Sequence, residues 1–204
     1  RTDSGVHASG QVAHFDTTSQ RSMHAWTMGA NANLGPHVSV AWARPVADHF
    51  HARYSALRRH YRYTIYNRRA RSALAAARSA WIAVPLDIES MQAAARPLIG
   101  EHDFSSFCRR PKPAPGAEPA SMKRRVISAR WSEVPGDVPG LLRFEIRANA
   151  FCHQMVRSIV GTLVDVGLGK LHAGDSTAIL RTRSRLAAGS VAPPHGLTLW
   201  QVGY

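Results

Sequence analysis

Apolar and polar side chains alternate most regularly where Leu142, Phe144, Ile146 and Ala148 are interleaved with Arg143, Glu145 and Arg147. A period of two sends each set to its own face, so Leu141 to Ala148 predicts a half-buried strand. Its partner is Arg124 to Glu133, across turn residues Pro135, Gly136, Pro139 and Gly140. Phe151, Met155, Ile159, Leu163 and Val166 recur instead at helical spacing and predict a helix over Phe151 to Leu168. Its other side carries His153, Arg157 and Gly161 at steps of four, which sets Arg157 off the apolar stripe.

Weaker patterns fill in the rest. Gln11 to Asp16 and Val38 to Val46 predict strands, the latter with Val38, Val40 and Trp42 on one face; between them Ser22 caps a helix ending near Leu34, before Gly35 and Pro36. Within Phe50 to Tyr66 a strand puts Tyr61, Tyr63 and Ile65 on one face, with Arg62 and Thr64 on the other. Asp87 to Leu98 and Ser176 to Leu186 predict helices, and Leu197 to Tyr204 a closing strand. The proline-rich, basic stretch Arg109 to Met122 predicts a mobile loop meeting the substrate. The result is an α+β protein whose antiparallel-rich mixed sheet is flanked by helices.

Composition narrows the partners. There are 26 Lys plus Arg against 13 Asp plus Glu, a formal charge of +13, which argues for a polyanion such as nucleic acid. Hydrophobic residues at 45% suit a globular chain rather than a disordered one. No apolar run reaches the roughly 20 residues that a membrane-spanning helix needs. Cys108 and Cys152 alone are too few and too isolated for a disulfide framework or zinc site, which suggests a reducing cytosol.

The chain opens on RTDSGVHASGQVAHFD. Asp3, between Arg1-Thr2 and Ser4-Gly5, sits on a loop leading into a strand, where it could be a cap, turn former, metal ligand, general base or nucleophile. In FHARYSALRRHYRYTIY, cations alternate with flat rings, as contacts to RNA backbone and bases require, although a core strand with packed tyrosines would look alike. Arg157 on its own would be a solvated charge. His102 and Asp103, in EHDFSSF, are set aside as a packed corner between phenylalanines. His49 and His51 are the one histidine pair that strand alternation places together, and a metal there is not expected.

Three of these stretches resemble the TruA type of tRNA pseudouridine synthases. RTDSGVH is similar to the family's catalytic loop GRTDxGVH without its first glycine, YRY to its second motif, and NAFCHQMVRSIVG to NAFxxxMVRxIVG. The resemblance runs from Arg1 to about Gly203. It implies the pseudouridine synthase fold, in two related halves with a basic cleft between them. Residues 1–50 would be the remainder of an N-terminal half with the catalytic loop, residues 51–204 the C-terminal half, and an N-terminal portion with the first strand would be missing. His60 stands where the family often has another arginine.

The resemblance also implies roles. Asp3 would be catalytic, Tyr61 would lie against the target base, and Arg157 would pair with the aspartate. Arg1, Thr2, Val6, His7, Arg58, Arg59, His153 and Leu197 would bind substrate, with Leu197 and Val6 walling the uracil pocket and Thr2 and His7 holding the loop. The reaction isomerises uridine to pseudouridine at positions 38, 39 and 40 of the tRNA anticodon stem-loop, in a cytoplasmic homodimer, without metal or cofactor. Two rival classes are a non-catalytic basic RNA-binding module, which would not require Asp3 and Arg157 to meet, and a metal-dependent RNA phosphodiesterase, which would need clustered carboxylates.

Overall fold

A computed structural model describes residues 2–110, 116, 118, 120–136 and 139–204; most of the proline-rich loop and Arg1 fall outside them. The chain divides into two compact units, one of Arg1–Gln11 with Ala56–Tyr204 and one of Val12–Ser55.

The larger unit is built on a seven-stranded sheet. Its strands are β1 (His7–Ala8), β2 (Arg58–Asn67), β3 (Ala80–Ile82), β4 (Gly100–Asp103), β5 (Lys123–Glu133), β6 (Leu141–Ala148) and β7 (Leu197–Gly203). They run in the order β1-β7-β2-β6-β5-β4, with β3 beside β2. All pairings are antiparallel except β1 with β7 and β2 with β3. Register sets Tyr63 opposite Phe144, and Phe144 opposite Trp131, so alternate residues of three strands share a face.

That inner face is the core. Tyr63, Ile65, Phe144 and Ile146 are fully buried, together with Met91 of helix α2 (Ile88–Ala95) and Ile159 and Leu163 of helix α3 (Met155–Gly167). Each such side chain contributes about 1.5–3 kcal/mol by leaving water. α2 and α3 touch closely: a Cβ at Gly167 would come within 2.6 Å of Met91 Sδ. Phe104 and Phe107 are buried as the packed corner expects. The opposite face carries His60, Arg62 and Thr64 from β2 against Arg147, Glu145 and Arg143 from β6.

Helix ends differ from the periodic pattern where the backbone enters left-handed space. Gln154 has φ 64°, so α3 starts at Met155 and His153 lies in the preceding turn rather than on the helix. Arg183 at φ 50° likewise stops helix α4 at Asp175–Thr182, short of Leu186. Non-glycine residues reach this region at a cost, so such positions break the pattern that side-chain spacing predicts.

The smaller unit contains helix α1 (Met23–Asn33), capped by the Ser22 side chain, with no buried residue. Neither Gln11–Asp16 nor Val38–Val46 is a strand. Alternation makes a strand only where a neighbouring ladder accepts the backbone bonds. Val40 bonds instead to a side chain: its amide donates to Asn31 Oδ1 at 2.7 Å and its carbonyl accepts from Asn31 Nδ2 at 2.9 Å. His51 is also structural, its Nδ1 accepting the amides of Arg53 at 3.1 Å and Tyr54 at 3.2 Å.

Candidate active site

The opening loop turns tightly because the Val6 amide donates to the Asp3 carbonyl at 3.1 Å. Gly5 sits at φ 77°, and a Cβ there would lie 3.0 Å from Pro194 Cγ, so conformation and space both favour glycine. Leaving the turn, β1 pairs with β7, His7 opposite Thr198. The His7 Nε2 donates to Ala77 O at 2.7 Å, fixing the other side of the loop. Asp3 is thus held on a short turn anchored to the sheet at its exit.

Among the described residues its carboxylate lies beside an imidazole: Asp3 Oδ1 is 3.4 Å from His153 Nε2, both side chains being partly exposed. Tyr61 lies on the inner face of β2, close enough for the Asp3 charge to act on it. Burial first, and that negative charge second, push its phenol up to about 12 despite Arg59, so it stays neutral at pH 7. Phe151 meets the Tyr61 ring edge-on with centroids 5.1 Å apart. The segment Phe151 to His153 therefore touches both the tyrosine and the aspartate.

Arg157 is engaged elsewhere. Its Nε donates to Ala192 O at 2.7 Å, and its own carbonyl accepts from the Ala192 amide at 3.1 Å. The expected ion pair between Asp3 and Arg157 is not formed in this structure, which pairs Asp3 with His153 instead. Because His153 lies in the turn before α3, the two side chains do not share the direction that a helical step of four would give them. The arginine holds the segment that runs through Pro193, whose carbonyl accepts the Tyr63 hydroxyl at 2.9 Å, to the buried Leu197 opposite Tyr63. Burial raises the Tyr63 phenol strongly, only partly opposed by Arg157.

The remaining expected residues are spread around this centre. Arg59 Nη1 donates to Ala56 O at 3.0 Å and Asn149 O at 2.5 Å, bracing β2 against the turn before Phe151. Arg58 is exposed, Thr2 and Val6 are partly buried, and Arg1 lies outside the described residues. Spacing gave no hint of Phe151, Pro194 or Ala192 as site-forming residues; the first lies inside the NAF motif, where a close reading could have found it.

Two other expectations are settled by geometry. Asp103 is a structural acid: burial would raise its pKa, but bonds from the Ser105 hydroxyl and amide, with Arg183 and Arg110 nearby, outweigh that and lower it. Cys108 and Cys152 are not isolated. They form a disulfide, with Cα atoms 5.8 Å apart across 44 residues of sequence, a pairing that their spacing did not suggest. Among the described residues no three His, Cys, Asp or Glu side chains gather as a metal site.

Comparison with known proteins decides the family. A sequence model described as tRNA pseudouridine synthase matches residues 94–204. The chain is 44% identical over 204 residues to the tRNA pseudouridine synthase A of Coxiella burnetii, covering all of this chain and 75% of that protein. The chain belongs to the tRNA pseudouridine synthase family. The proteins of that name in Nitrosococcus oceani and Pseudomonas aeruginosa are also each 44% identical over the whole chain, which covers 75% and 68% of their lengths. Their shared name is that of isomerases that convert uridine to pseudouridine in tRNA, and the enzyme reading therefore displaces the non-catalytic module. No helix among the described residues is long and apolar enough to cross a membrane.

Proposed function

We propose that this synthase isomerises uridines 38, 39 and 40 of the tRNA anticodon stem-loop with Asp3 as the catalytic group. The observation that carries this reading is the convergence of Asp3, Tyr61 and the Phe151–His153 segment from three distant parts of the chain. The isomerisation breaks the bond from ribose to N1 of uracil, turns the base and rejoins it through C5. Atoms are conserved overall, the C5 proton being lost and one gained at N1, so no redox partner is needed.

The target uridine leaves the stack before it reacts, at a cost of a few kcal/mol that contacts from the arginine-rich surface offset. Asp3, ionised, then acts as nucleophile or as base on the sugar. Tyr61, its phenol neutral at pH 7, offers the base a flat ring already braced by Phe151. Leu197 and Val6 wall the pocket, while Arg1, Arg58, Arg59 and His153 meet RNA, with Thr2 and His7 holding the loop. When RNA binds, Arg157 moves from Ala192 to pair with Asp3 and favours its ionised form. The protein works in the cytoplasm as a homodimer.

The test is conversion of uridine in an unmodified tRNA transcript, read position by position without added cofactor. Product at 38 to 40 is the expected result. Product confined to other stems would remove the assigned site choice, and no product at all would remove the activity from this chain.

A further inference from the structure

The disulfide has a place in the site that neither the motifs nor the family name assigns. Cys152 lies between Phe151, whose ring centroid is 5.1 Å from that of Tyr61, and His153, whose Nε2 is 3.4 Å from Asp3. Its partner Cys108 is fully buried at the end of the packed corner that follows β4. A second tie runs in parallel, the Arg109 amide donating to His153 O at 3.0 Å. The turn that delivers both contacts to the site is thus fastened to the core at two adjacent points, one a covalent bond and one a hydrogen bond.

We propose that Cys108–Cys152 is a redox-sensitive staple that holds Phe151 and His153 in register with Tyr61 and Asp3. The proposal rests on the assignment of those two residues to catalysis. Catalytic geometry tolerates little slack, since a displacement of about 1 Å can cost about 100-fold in rate. Around the left-handed Gln154 at φ 64° the Met155 amide donates to Cys152 O at 3.1 Å and Arg185 Nη2 to Gln154 Oε1 at 3.1 Å, and the staple adds the covalent restraint to these hydrogen bonds. Closing a loop of this length also narrows the unfolded ensemble, which favours the folded form when the bond is made.

The chemistry balances with glutathione disulfide as oxidant. The partly exposed Cys152 thiolate attacks it and releases one glutathione thiolate. Cys108 then displaces the second, forming the protein disulfide while two protons pass to the two glutathione thiols. Two electrons leave the cysteines and reduce the glutathione disulfide. Excess reduced glutathione runs the same steps backwards.

The experiment poises the full chain in glutathione buffers from fully reduced to fully oxidised. It counts free thiols by mass after alkylation, follows hydrogen exchange at the Arg109 amide, and measures conversion in a tRNA transcript. The oxidised form is expected to have no free thiol, slower exchange at Arg109 and conversion about tenfold faster than the reduced form. The double variant Cys108→Ser with Cys152→Ser should match the reduced form at every poise; Cys152→Val, with less disturbance of the buried side, should do the same. Two free thiols at every poise, or paired thiols with unchanged exchange and rate, would overturn the staple. Paired thiols with slowed exchange but no conversion in either form would support the staple and count against the assigned reaction.

Discussion

The two faces of β2 carry the same kinds of residue to different ends. On the inner face Tyr61 and Tyr63 are rings set between the core and the site: one beside Asp3, the other bonded to Pro193 next to Leu197. On the opposite face Arg62 and His60 are already engaged. Arg62 Nε donates to Glu145 at 2.6 Å and its guanidinium stacks 3.6 Å from the centre of the Trp200 ring, while His60 Nε2 lies 3.2 Å from the same carboxylate. Rings alternating with arginines suggest RNA contacts along the whole strand. Only the ring face leads to the opening loop that carries Asp3; on the other, Arg62, His60 and Glu145 form a network within the sheet.

Substitutions that test this division differ in size and in what they change. Asp3→Asn should lower conversion by about 10,000-fold or more while tRNA affinity stays within about threefold, because it removes the reacting carboxylate but no phosphate contact. Single-turnover rates and a binding titration on the same preparation check it, and conversion within about tenfold of the unaltered chain would break the assignment. Arg157→Met should lower the rate about 100- to 1,000-fold and also release the Ala192 segment, read as faster exchange of the Ala192 amide. If that amide loosens but the rate holds, the arginine is only structural.

Tyr61→Leu should cost about 100-fold in kcat/KM, and Tyr61→Phe only about tenfold, since the ring and its edge contact with Phe151 survive. Equal losses for the two would make the hydroxyl, not the ring, the working part. The smallest effect belongs to the opposite face. Burial, then Arg147, hold His60 below its ordinary 6.5. Below pH 6.5 the unfolded chain binds a proton that the folded chain resists, so stability falls as pH drops from 6.5 towards the folded value. Glu145, lowered by Arg62 and its neighbours against burial, adds a second loss further down, below the usual carboxylate range. Between about pH 7.5 and pH 5.5 the Tm should drop about 2–4 °C, and His60→Gln should flatten that drop without changing conversion at neutral pH.

Much of the larger unit was legible because its patterns coincide with its partners. Strands β5, β6 and β7 and helices α2 and α3 follow alternation or helical spacing that the core enforces, and the three motifs locate Asp3, Tyr61 and Arg157. The smaller unit misled for the opposite reason: Val38, Val40 and Trp42 alternate, yet Asn31 rather than a neighbouring strand takes the Val40 backbone bonds. β3 was unforeseen because three residues carry too little period to register. The departure of His153 from the Arg157 direction was hidden in one dihedral at Gln154, and the meeting of Cys108 with Cys152 in a tertiary contact that spacing does not encode.

The central claim is that an acid, a ring and a guanidinium gather on one uridine drawn out of its stem. A structure of this chain bound to an unmodified anticodon stem-loop tests it directly. The account predicts an unstacked uridine against Tyr61, with the Asp3 carboxylate facing its sugar and the Arg157 guanidinium moved to within about 4 Å of that carboxylate. A uridine still stacked in the stem, with Arg157 still on Ala192 and Asp3 turned to solvent, would contradict it.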